Sequence, residues 1–397
     1  MKNKKYNILI INTLYYPLRV GGAEKSVQFL AESLAARGHA VSVATLGTEQ
    51  VLTKNIFNNV TVYRLPIANI YHPTQAGTAR SAYKFLWHIK DIYNYNMYNY
   101  IYKIMQDTLP NIVHTHNIAG FSVAIWAAAK RLGLPLIHTL RDYYLACPKT
   151  TMFANGKNCA KPCLQCQMFS AYKRQASKHV DIVTGVSAFV LRRHLKLNYF
   201  PYSKIKVIYN PYGQHPIERR GLPTSAGIRF GFIGAINQAK GIERLLAAYA
   251  KVRNAPGALL VAGKGTEEYM QHLTIQYPDT SFEFLGFVQP ADFFSRINVL
   301  VVPSLWHDPA PRVVLEAMSY GVPVIGSNRG GIPELVGDAG WVFDPDHPDE
   351  LRELMEHLAR NPGIVEEYSR RALKHVAAFD ADTSVQEYID VYHSVIR

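Results

Sequence analysis

Residues 303–336 read PSLWHDPAPRVVLEAMSYGVPVIGSNRGGIPELV, and the pattern of this stretch is repeated along the chain. The apolar run VVLEAM predicts a helix, and VPVIGS (322–327) predicts a short buried strand. A second strand, NVLVVPS (298–304), precedes the helix, so the stretch forms a strand–helix–strand unit. The helix contains one carboxylate, Glu316, and another acid, Asp308, lies eight residues before it.

These two acids have an ordinary and a functional interpretation. Asp308 precedes two prolines, as a residue that caps a helix often does, and Glu316 lies four residues after Arg312, which is the spacing of a surface ion pair. However, the apolar neighbours of Glu316 indicate a helix that is buried on most sides, where a carboxylate needs a partner. The hydroxyl groups of a bound ribose would be such a partner.

Short apolar runs separated by room for a helix recur on both sides of a predicted linker. The linker is NPYGQHPIERRGLPTSAG (210–227), which is rich in proline, glycine and charge. We therefore predict an α/β protein with two Rossmann-like domains in tandem, residues 1–210 and 211–378, followed by a C-terminal segment, 379–397. Because ligands bind beyond the carboxyl ends of such strands, two facing domains would form one cleft. The predicted strands are 7–13, 40–46, 112–116, 134–140, 181–187, 228–234, 258–263, 282–287, 298–304 and 322–327.

The composition is that of a globular protein with an uneven charge. Of the 397 residues 48% are hydrophobic, yet no run of about 18 apolar residues predicts a membrane span. The N-terminal run YNILIINTLYYPL lacks a small-residue cleavage site, so we expect a cytoplasmic location. Residues 1–210 hold 26 basic and 7 acidic residues, a net charge of +19, whereas the remainder has a net charge of −6. No nucleic-acid-binding motif accompanies the basic half, so no nucleic acid partner is expected.

Glycine-containing loops follow several of the predicted strands. Gly21 and Gly22 begin an amphipathic helix, where free backbone N–H groups attract anions. Lys240 occupies a similar junction in FIGAINQAKG (232–241), and Gly263 lies in VAGKG (261–265). Because neither loop has the full dinucleotide or Walker sequence, the chain is not expected to bind NAD or to hydrolyse ATP.

The stretch at 303–336 resembles the signature of the retaining glycosyltransferases of family 4. The resemblance covers essentially the whole chain and implies the GT-B fold, with two Rossmann-like domains facing each other across a cleft. It implies an acceptor-binding first domain, a nucleotide-sugar-binding second domain and a C-terminal helix, 379–397, that returns to the first domain. The further matches are GGAE (21–24), VHTHN (113–117), NPYG (210–213), FIGAINQAKG (232–241), LLVAGKG (259–265) and FLGFV (284–288).

The resemblance also implies roles for individual residues. Glu316 would bind the ribose of the nucleotide, and Asp308 would lie beside the donor sugar. His116 would lie close to the 6-position of that sugar, and Lys240 would stabilise the leaving diphosphate. The implied donor-binding residues are Gly21, Gly22, Arg141, Gly263, Leu285, Phe287, Val288, Ala310, Arg312 and Glu316.

Four positions depart from the family pattern. The first acid is Asp308 rather than glutamate, and Pro311 replaces the usual glycine. Ala235 stands where many members have arginine, and Arg141 stands where histidine often precedes Asp-Tyr. We hypothesise that Arg141 supplies the basic group that position 235 lacks.

The implied activity is transfer of a sugar, with retention of configuration, from a UDP- or GDP-linked donor to a hydroxyl of a glycan or lipid-linked acceptor in bacterial surface polysaccharide synthesis. Lys240 and helix-start N–H groups could stabilise the leaving diphosphate without a divalent ion, so no catalytic cofactor is expected. Two alternatives remain open. One is a catalytically weak GT-B scaffold that binds a nucleotide sugar, and the other is a sugar-nucleotide epimerase.

All four cysteines lie within CPKTTMFANGKNCAKPCLQC, at positions 147, 159, 163 and 166. Such a cluster, in a chain expected in the cytoplasm, favours a structural metal over free thiols or disulfides. Of the metals, zinc is favoured over an iron–sulfur cluster. The predicted ligands are Cys147, Cys159, Cys163 and Cys166.

Basic and aromatic residues occur together in 81–105, 171–180 and 190–200, with Trp87 and Phe200 among them. This composition is typical of the boundary of an anionic bilayer, although a solvated basic face over a tyrosine-rich core is the alternative. We therefore expect peripheral docking at the inner face of the cell membrane, next to a polyprenyl-diphosphate-linked acceptor.

Overall fold

The computed structural model describes residues 4–18, 21–75, 80–212, 227–252, 259–278 and 282–396. The chain forms two compact units, and most of the predicted linker lies outside the described residues. Unit 1 comprises Met1–Met152, Cys159–Tyr209 and Asp382–Arg397, and unit 2 comprises Phe153–Asn158 and Asn210–Ala381. A six-residue segment from the first half of the chain is thus part of unit 2.

Strands and helices alternate along the chain. The strands are β1 Asn7–Ile11, β2 Ala40–Leu46, β3 Thr53–Phe57, β4 Val60–Leu65, β5 Ile112–Thr115, β6 Leu136–Leu140, β7 Phe153–Ala154, β8 Lys157–Asn158, β9 Ile182–Gly185, β10 Lys204–Val207, β11 Phe230–Ile233, β12 Leu259–Ala262, β13 Phe282–Gly286, β14 Val299–Val302, β15 Val324–Ser327 and β16 Trp341–Phe343. The helices are α1 Gly22–Ala36, α2 Ser81–Lys90, α3 Tyr95–Thr108, α4 Ala124–Arg131, α5 Leu164–Ala176, α6 Ala188–Lys196, α7 Ile242–Tyr249, α8 Glu267–Gln276, α9 Pro290–Phe294, α10 Arg312–Ser319, α11 Ile332–Val336, α12 Pro348–Arg360, α13 Pro362–Val376 and α14 Ala381–Val395. Short 3₁₀ turns lie at Pro73–Gln75, Ser177–His179, Gln238–Lys240 and Ala377–Phe379.

Unit 1 is built on an eight-stranded sheet in the order β10-β9-β6-β5-β1-β2-β4-β3. Its neighbouring strands are parallel except β3, which pairs antiparallel with β4 at the edge. The chain builds outward from β1 in both directions, so the strand order reverses between β1 and β5. Ligands bind at such a switch point in open α/β sheets.

The last helix of the chain, α14, belongs to the core of unit 1. Val385, Tyr388 and Tyr392 are buried in the same cluster as Ile8 and Ile112 of the central strands. The Tyr392 hydroxyl lies 2.9 Å from Nδ1 of His114, and Arg37 forms a 2.7 Å ion pair with Asp382. Buried apolar area is the main source of this attachment.

Unit 2 is built on a six-stranded parallel sheet in the order β13-β12-β11-β14-β15-β16. Its order reverses between β11 and β14, which gives a second switch point. The core is formed by Phe230, Val261 and Val299 of the strands with Leu245 of α7 and Met355 of α12.

The predicted architecture of two Rossmann-like α/β domains with parallel sheets is confirmed. The sequence patterns missed the strands β4, β10 and β16, the antiparallel strand β3 and the two-stranded β7–β8 hairpin. Within the described ranges, no helix is both long and apolar enough to cross a membrane.

Candidate functional site

Lys240 lies in the loop that follows β11, at the switch point of unit 2. The 3₁₀ turn Gln238–Lys240 is capped by Asn237, whose side-chain oxygen accepts a 3.1 Å hydrogen bond from the Lys240 backbone N–H. The turn ends at Gly241, which has φ +74°, and a Cβ there would lie 1.9 Å from the carbonyl oxygen of Pro303. Only glycine fits this position. The loop after β11 is thereby packed against the loop after β14.

Asp308 lies in the loop after β14, and its carboxylate forms an ion pair with Lys240. Lys240 Nζ is 2.5 Å from Asp308 Oδ2 and lies 5.5 Å from the centre of the Trp306 ring. Asp308 is only 5% exposed. The helix-cap interpretation of Asp308 is wrong, because the residue that precedes α10 is Pro311 and no side chain caps it.

The turn Arg329-Gly330-Gly331 holds the backbone of Asp308. Gly331 N–H donates a 2.8 Å hydrogen bond to the Asp308 carbonyl, and Gly330 N–H donates to His307 Nδ1 at 3.2 Å. Gly330 has φ +62°, and a Cβ there would lie 2.0 Å from the Asp308 carbonyl oxygen. The two glycines therefore allow a close approach that fixes Asp308 beside Lys240.

Glu316 lies on α10, where it is less buried than its apolar neighbours suggested. Its side chain is 20% exposed, and Oε1 accepts a 3.2 Å hydrogen bond from Nε of Arg312, whose side chain is 16% exposed. The i,i+4 ion pair is therefore present. A ligand can still reach the carboxylate, and Ala310 lies half-buried in the loop just before the helix.

Glycines also pack the loops that follow β11, β12 and β13. Gly263 has φ +140°, and a Cβ there would lie 1.7 Å from the carbonyl oxygen of Gly234. Its N–H donates a 2.7 Å hydrogen bond to the carbonyl of Gly286. Phe287, which follows, is 71% exposed. Leu285 and Val288 are half-buried beside it.

In unit 1, Gly21 and Gly22 lie at the start of α1 as the sequence indicated. Gly21 precedes the helix in an extended conformation, and its N–H donates a 2.7 Å hydrogen bond to Oε2 of Glu24. One of the N–H groups expected to meet an anion is therefore already paired with a carboxylate.

His116 and Arg141 meet at the switch point of unit 1. Arg141 Nε donates a 3.1 Å hydrogen bond to His116 Nδ1, so the histidine proton resides on Nε2. Burial, together with the neighbouring charges of His114 and Arg141, lowers the pKa of His116 well below its usual value. Its buried Nε2 has no hydrogen-bond partner in the part of the chain that the structure describes. His116 is therefore a neutral N–H donor that a ligand oxygen would satisfy.

Sequence analysis missed a buried ionic network behind Arg141. The Tyr144 hydroxyl donates a 2.5 Å hydrogen bond to Asp91 Oδ2, and Lys173 Nζ lies 4.0 Å from the same oxygen and 3.4 Å from the centre of the Tyr144 ring. Asp142 accepts a 2.8 Å hydrogen bond from the Tyr144 N–H. The network fixes the loop that carries Arg141. Its members are far apart in the sequence, so no local signal identifies them.

The β7–β8 hairpin of unit 2 was also missed. Asn158 binds the loop that carries Asp308, because its Nδ2 donates to the Leu305 carbonyl at 2.7 Å and its Oδ1 accepts from the His307 N–H at 2.9 Å. The hairpin turn is Asn155-Gly156, with φ values of +52° and +73°. Asn-Gly is the preferred sequence of a two-residue hairpin turn and could have revealed it.

The four cysteines are unpaired thiols in unit 1. Cys147 is buried, Cys159 and Cys166 are half-buried, and Cys163 is exposed just before α5. As they stand, the described residues contain no group of three or more histidine, cysteine, aspartate or glutamate side chains that could hold a metal ion. Zinc binding by the cysteines stays a prediction.

Comparison with known families accounts for most of the chain. Residues 20–212 match the family model "Glycosyltransferase Family 4", and residues 227–361 match "Glycosyl transferases group 1". An "Uncharacterized 42.6 kDa protein in cps region" of Klebsiella pneumoniae is 34% identical over 331 residues, which are 83% of this chain and 87% of that protein. A D-inositol 3-phosphate glycosyltransferase of Streptomyces avermitilis is 26% identical over 318 residues, 72% of this chain and 66% of that protein.

Solved structures of similar fold cover nearly the whole chain. Anabaena HepE in complex with UDP superimposes with a TM-score of 0.72 at 17% identity, over 98% of this chain and 100% of that one. Sucrose-phosphate synthase from Thermosynechococcus elongatus gives a TM-score of 0.72 at 19% identity, over 98% and 99% of the two chains. At these identities the likeness concerns the fold.

Proposed function

This chain belongs to glycosyltransferase family 4 and has the GT-B fold, and we propose that it transfers a sugar, with retention of configuration, from a UDP-linked donor to a hydroxyl of a glycan or lipid-linked acceptor. The choice of UDP is supported by HepE, whose structures contain UDP and UDP-glucose. A role in surface polysaccharide synthesis is supported by the relative in a cps region.

The observation that carries this proposal is the Lys240–Asp308 pair at the switch point of unit 2. Negative charge builds on the diphosphate as its bond to the anomeric carbon breaks, and a lysine held in place stabilises that charge without reorganisation. Asp308 Oδ2 fixes Lys240 Nζ at 2.5 Å, so the cation is positioned before the donor arrives. In our proposal Lys240 supplies the positive charge that a divalent ion supplies in other transferases.

The remaining residues bind and orient the donor. We assign Glu316 to the ribose hydroxyls, Phe287 and its neighbours Leu285 and Val288 to the base, and the Nε2–H of His116 to a hydroxyl of the sugar. The acceptor hydroxyl attacks the anomeric carbon on the face that the diphosphate leaves, and its proton passes to the departing phosphate oxygen. Arg141 orients His116 through the 3.1 Å hydrogen bond.

The test begins with a thermal-shift panel of UDP, GDP and their sugars. Donors that bind are then incubated with polyprenyl-diphosphate-linked sugars and oligosaccharides, with and without EDTA, and the anomeric configuration of the product is read by NMR. We expect acceptor-dependent UDP release that EDTA leaves unchanged and a product with the donor's configuration. Binding without transfer would identify a scaffold, and epimerised nucleotide sugar would identify an epimerase; either result would overturn the proposal.

We further propose that unit 1 docks on an anionic membrane through one face formed by α2 and α5. The two helical regions are in contact, since the rings of Phe85 and Phe169 are 5.6 Å apart and those of Tyr93 and Tyr172 are also 5.6 Å apart. Their outer side chains are apolar and 39–84% exposed, which is unusual for a solvated surface. These side chains are Tyr83, Phe85, Leu86, Ile89, Leu164, Met168 and Tyr172.

Charge around this face fits an anionic lipid surface. The exposed cations on these two helices or within three residues of their ends are Arg80, Lys90, Lys161, Arg174 and Lys178. Each cation near such a surface contributes about 1 kcal/mol, so the set gives reversible docking. Two parts of the sequence prediction are wrong, because Trp87 and Phe200 are buried, at 5% and 2% exposure. Arg193, in the predicted docking segment 190–200, already forms hydrogen bonds within unit 1. Its guanidinium donates to the carbonyls of Cys159 and Ala160 at 2.6 Å.

Sedimentation with vesicles tests this docking. Binding should require anionic lipid, weaken as salt rises, and fall when Lys90, Arg174 and Lys178 are changed to serine. A variant with Lys251, Arg370 and Lys374 of unit 2 changed to serine loses the same charge and serves as the control. Equal binding to neutral vesicles, or equal losses in the two triple variants, would contradict a docking face on α2 and α5.

A further inference from the structure

The β7–β8 hairpin is a six-residue segment of unit 2 that comes from the first half of the chain. Its two strands pair antiparallel, in a register that places Asn158 opposite Phe153 at the end of the hairpin. The turn residues Asn155 and Gly156 both have positive φ, as a tight two-residue hairpin turn requires. A two-stranded hairpin is marginally stable by itself, so its position depends on its contacts with the rest of unit 2.

The side chain of Asn158 binds the backbone of the Asp308 loop at two points. Its Nδ2 donates to the Leu305 carbonyl at 2.7 Å, and its Oδ1 accepts from the His307 N–H at 2.9 Å. The two bonded residues are two positions apart, so the amide pairs with the loop as a residue of a neighbouring strand would. Asn158 therefore satisfies one acceptor and one donor of a half-buried stretch of backbone.

The same loop is held from two further sides. The Leu305 N–H donates to the Ala239 carbonyl at 2.9 Å, and the Gly331 N–H donates to the Asp308 carbonyl at 2.8 Å. Ala239 lies next to Lys240 in the 3₁₀ turn after β11. The hairpin, this turn and the turn that contains Gly331 thus fix the backbone on both sides of the ion pair. Because Asp308 is only 5% exposed, its carboxylate reaches Lys240 only while that backbone keeps its conformation.

We infer that Asn158 is a positioning residue for Asp308, and through Asp308 for Lys240, an inference that rests on the proposed function. Without the two hydrogen bonds of Asn158, the loop would also populate conformations in which Asp308 does not meet Lys240. A diphosphate would then bind only the fraction of molecules that hold the paired arrangement, and its apparent affinity falls by that fraction. Once the donor is bound the same site is assembled, so the rate at saturating donor changes little.

Calorimetry of the full chain with UDP, which every UDP-linked donor contains, tests this role. Asn158→Leu keeps a side chain of similar size and removes both hydrogen bonds. We expect it to weaken UDP binding about 5- to 100-fold and to speed hydrogen exchange in residues 303–311. Its kcat at saturating UDP-sugar should stay within about 2-fold, in contrast to a loss of Lys240 itself. Lys157→Ala, at the exposed neighbouring position of the same strand, is the control and should change none of these quantities.

The possible results distinguish a failure of this role from a failure of the proposed function. If the unaltered protein binds no UDP, both fail. If the unaltered protein binds UDP and Asn158→Leu binds it equally, only the role of Asn158 fails, and a lower melting temperature beside that equal affinity would leave Asn158 a purely structural residue. A large fall in kcat at saturating donor with unchanged UDP affinity would also contradict positioning. Should Asn158→Leu not fold, Asn158→Ala, with its smaller side chain, gives the same comparison.

Discussion

The two units hold their switch-point residues in different ways. In unit 2 these residues are held by glycine turns, which lie either next to them in the sequence or in a neighbouring loop. In unit 1 they are held by buried side chains that are distant along the chain. Lys240 and Asp308 depend on Gly241 and Gly330, whose positive φ values no larger residue would tolerate in these places. His116 depends on Arg141, and beside it His114 depends on Tyr392, 278 residues away.

Because of this difference, we expect substitutions in the two units to have different effects. In the unit 2 site the side chains of Lys240 and Glu316 are 27% and 20% exposed, and the buried Asp308 carboxylate is paired with Lys240. A substitution of Lys240 or Glu316 should therefore change catalysis more than stability. The unit 1 site rests on a buried network of histidines and one ion pair, where charge is costly. Changes of protonation or charge in unit 1 should therefore change stability first.

Acid is the strongest test of this comparison. Burial lowers the pKa of His138 to about 3 and of His194 to about 4, and it lowers the pKa of His114 and His116 well below 6.5. The unfolded chain takes up protons at these groups below about pH 6.5, whereas the folded chain does not. Their contribution to stability is therefore complete above pH 6.5 and is lost as the pH falls toward 5.

At pH 5 His138 and His194 each lower the free energy of unfolding by about 2 kcal/mol, and His114 and His116 act in the same direction. Burial raises the pKa of Asp91 and Asp142 to about 6, which acts in the opposite direction by about 1 kcal/mol per group. We expect unit 1 to lose more than about 2 kcal/mol between pH 7.5 and pH 5, since His114 and His116 add to the balance of the other four groups. Urea unfolding combined with limited proteolysis, carried out at both pH values, measures the loss of stability separately for each unit. Among the described residues every buried histidine lies in unit 1, so an equal loss in unit 2 would contradict this explanation.

Lys173→Met tests the buried ion pair of unit 1. The change leaves Asp91 without its cation in a site where the two side chains are 4% and 0% exposed. Removing one partner of a buried pair costs about 3–5 kcal/mol, so urea unfolding should show a loss of that size. Adding Asp91→Asn should recover part of it, because no unpaired charge remains. Lys178→Met, at an exposed position nearby, is the control and should have little effect.

Lys240→Met tests the corresponding ion pair of unit 2. Here we expect a larger effect on catalysis than on stability. Lys240 is 27% exposed at its side chain, so water can reach the Asp308 carboxylate once the lysine is gone, and the folded state should lose less stability than in Lys173→Met. Loss of a preorganised group that stabilises developing charge should lower kcat about 100- to 1,000-fold. Steady-state kinetics with Lys251→Met as the control measures this. A large fall in melting temperature together with a normal kcat would reverse the contrast between the units.

Glu316→Ala is expected to have the smallest of these effects. In the proposed site the substitution removes a charge-assisted hydrogen bond to the ribose, worth about 1.5–3 kcal/mol, so we expect kcat/KM to fall on the order of 10- to 100-fold. The i,i+4 pair with Arg312, in which the side chains are 20% and 16% exposed, adds little to stability. Glu353→Ala, at an exposed position of α12, is the control. Kinetics equal to those of the unaltered enzyme would contradict the assignment of Glu316 to the ribose.

The sequence predicted more of unit 2 than of unit 1. FIGAINQAKG, LLVAGKG and the stretch at 303–336 each contain the glycines that shape their loops, so the switch-point loops could be located before the structure was known. The Asn-Gly turn of the hairpin was equally local and was overlooked. In contrast, neither the burial of Trp87 nor the Arg193 contacts with Cys159 and Ala160 could be read from sequence. A basic and aromatic composition does not say which side chains face outward.

By itself the sequence determined the two-domain α/β architecture, the family, and the positions of Lys240, Asp308 and Glu316, because alternating apolar runs and glycine turns act over a few residues. Only the tertiary structure decided that Lys240 pairs with Asp308, that His116 is neutral with its proton on Nε2, and that a hairpin from the first half of the chain supports the Asp308 loop. The physical reason is that burial and hydrogen bonding set charge and tautomer. Both depend on partners that folding brings together from distant parts of the chain.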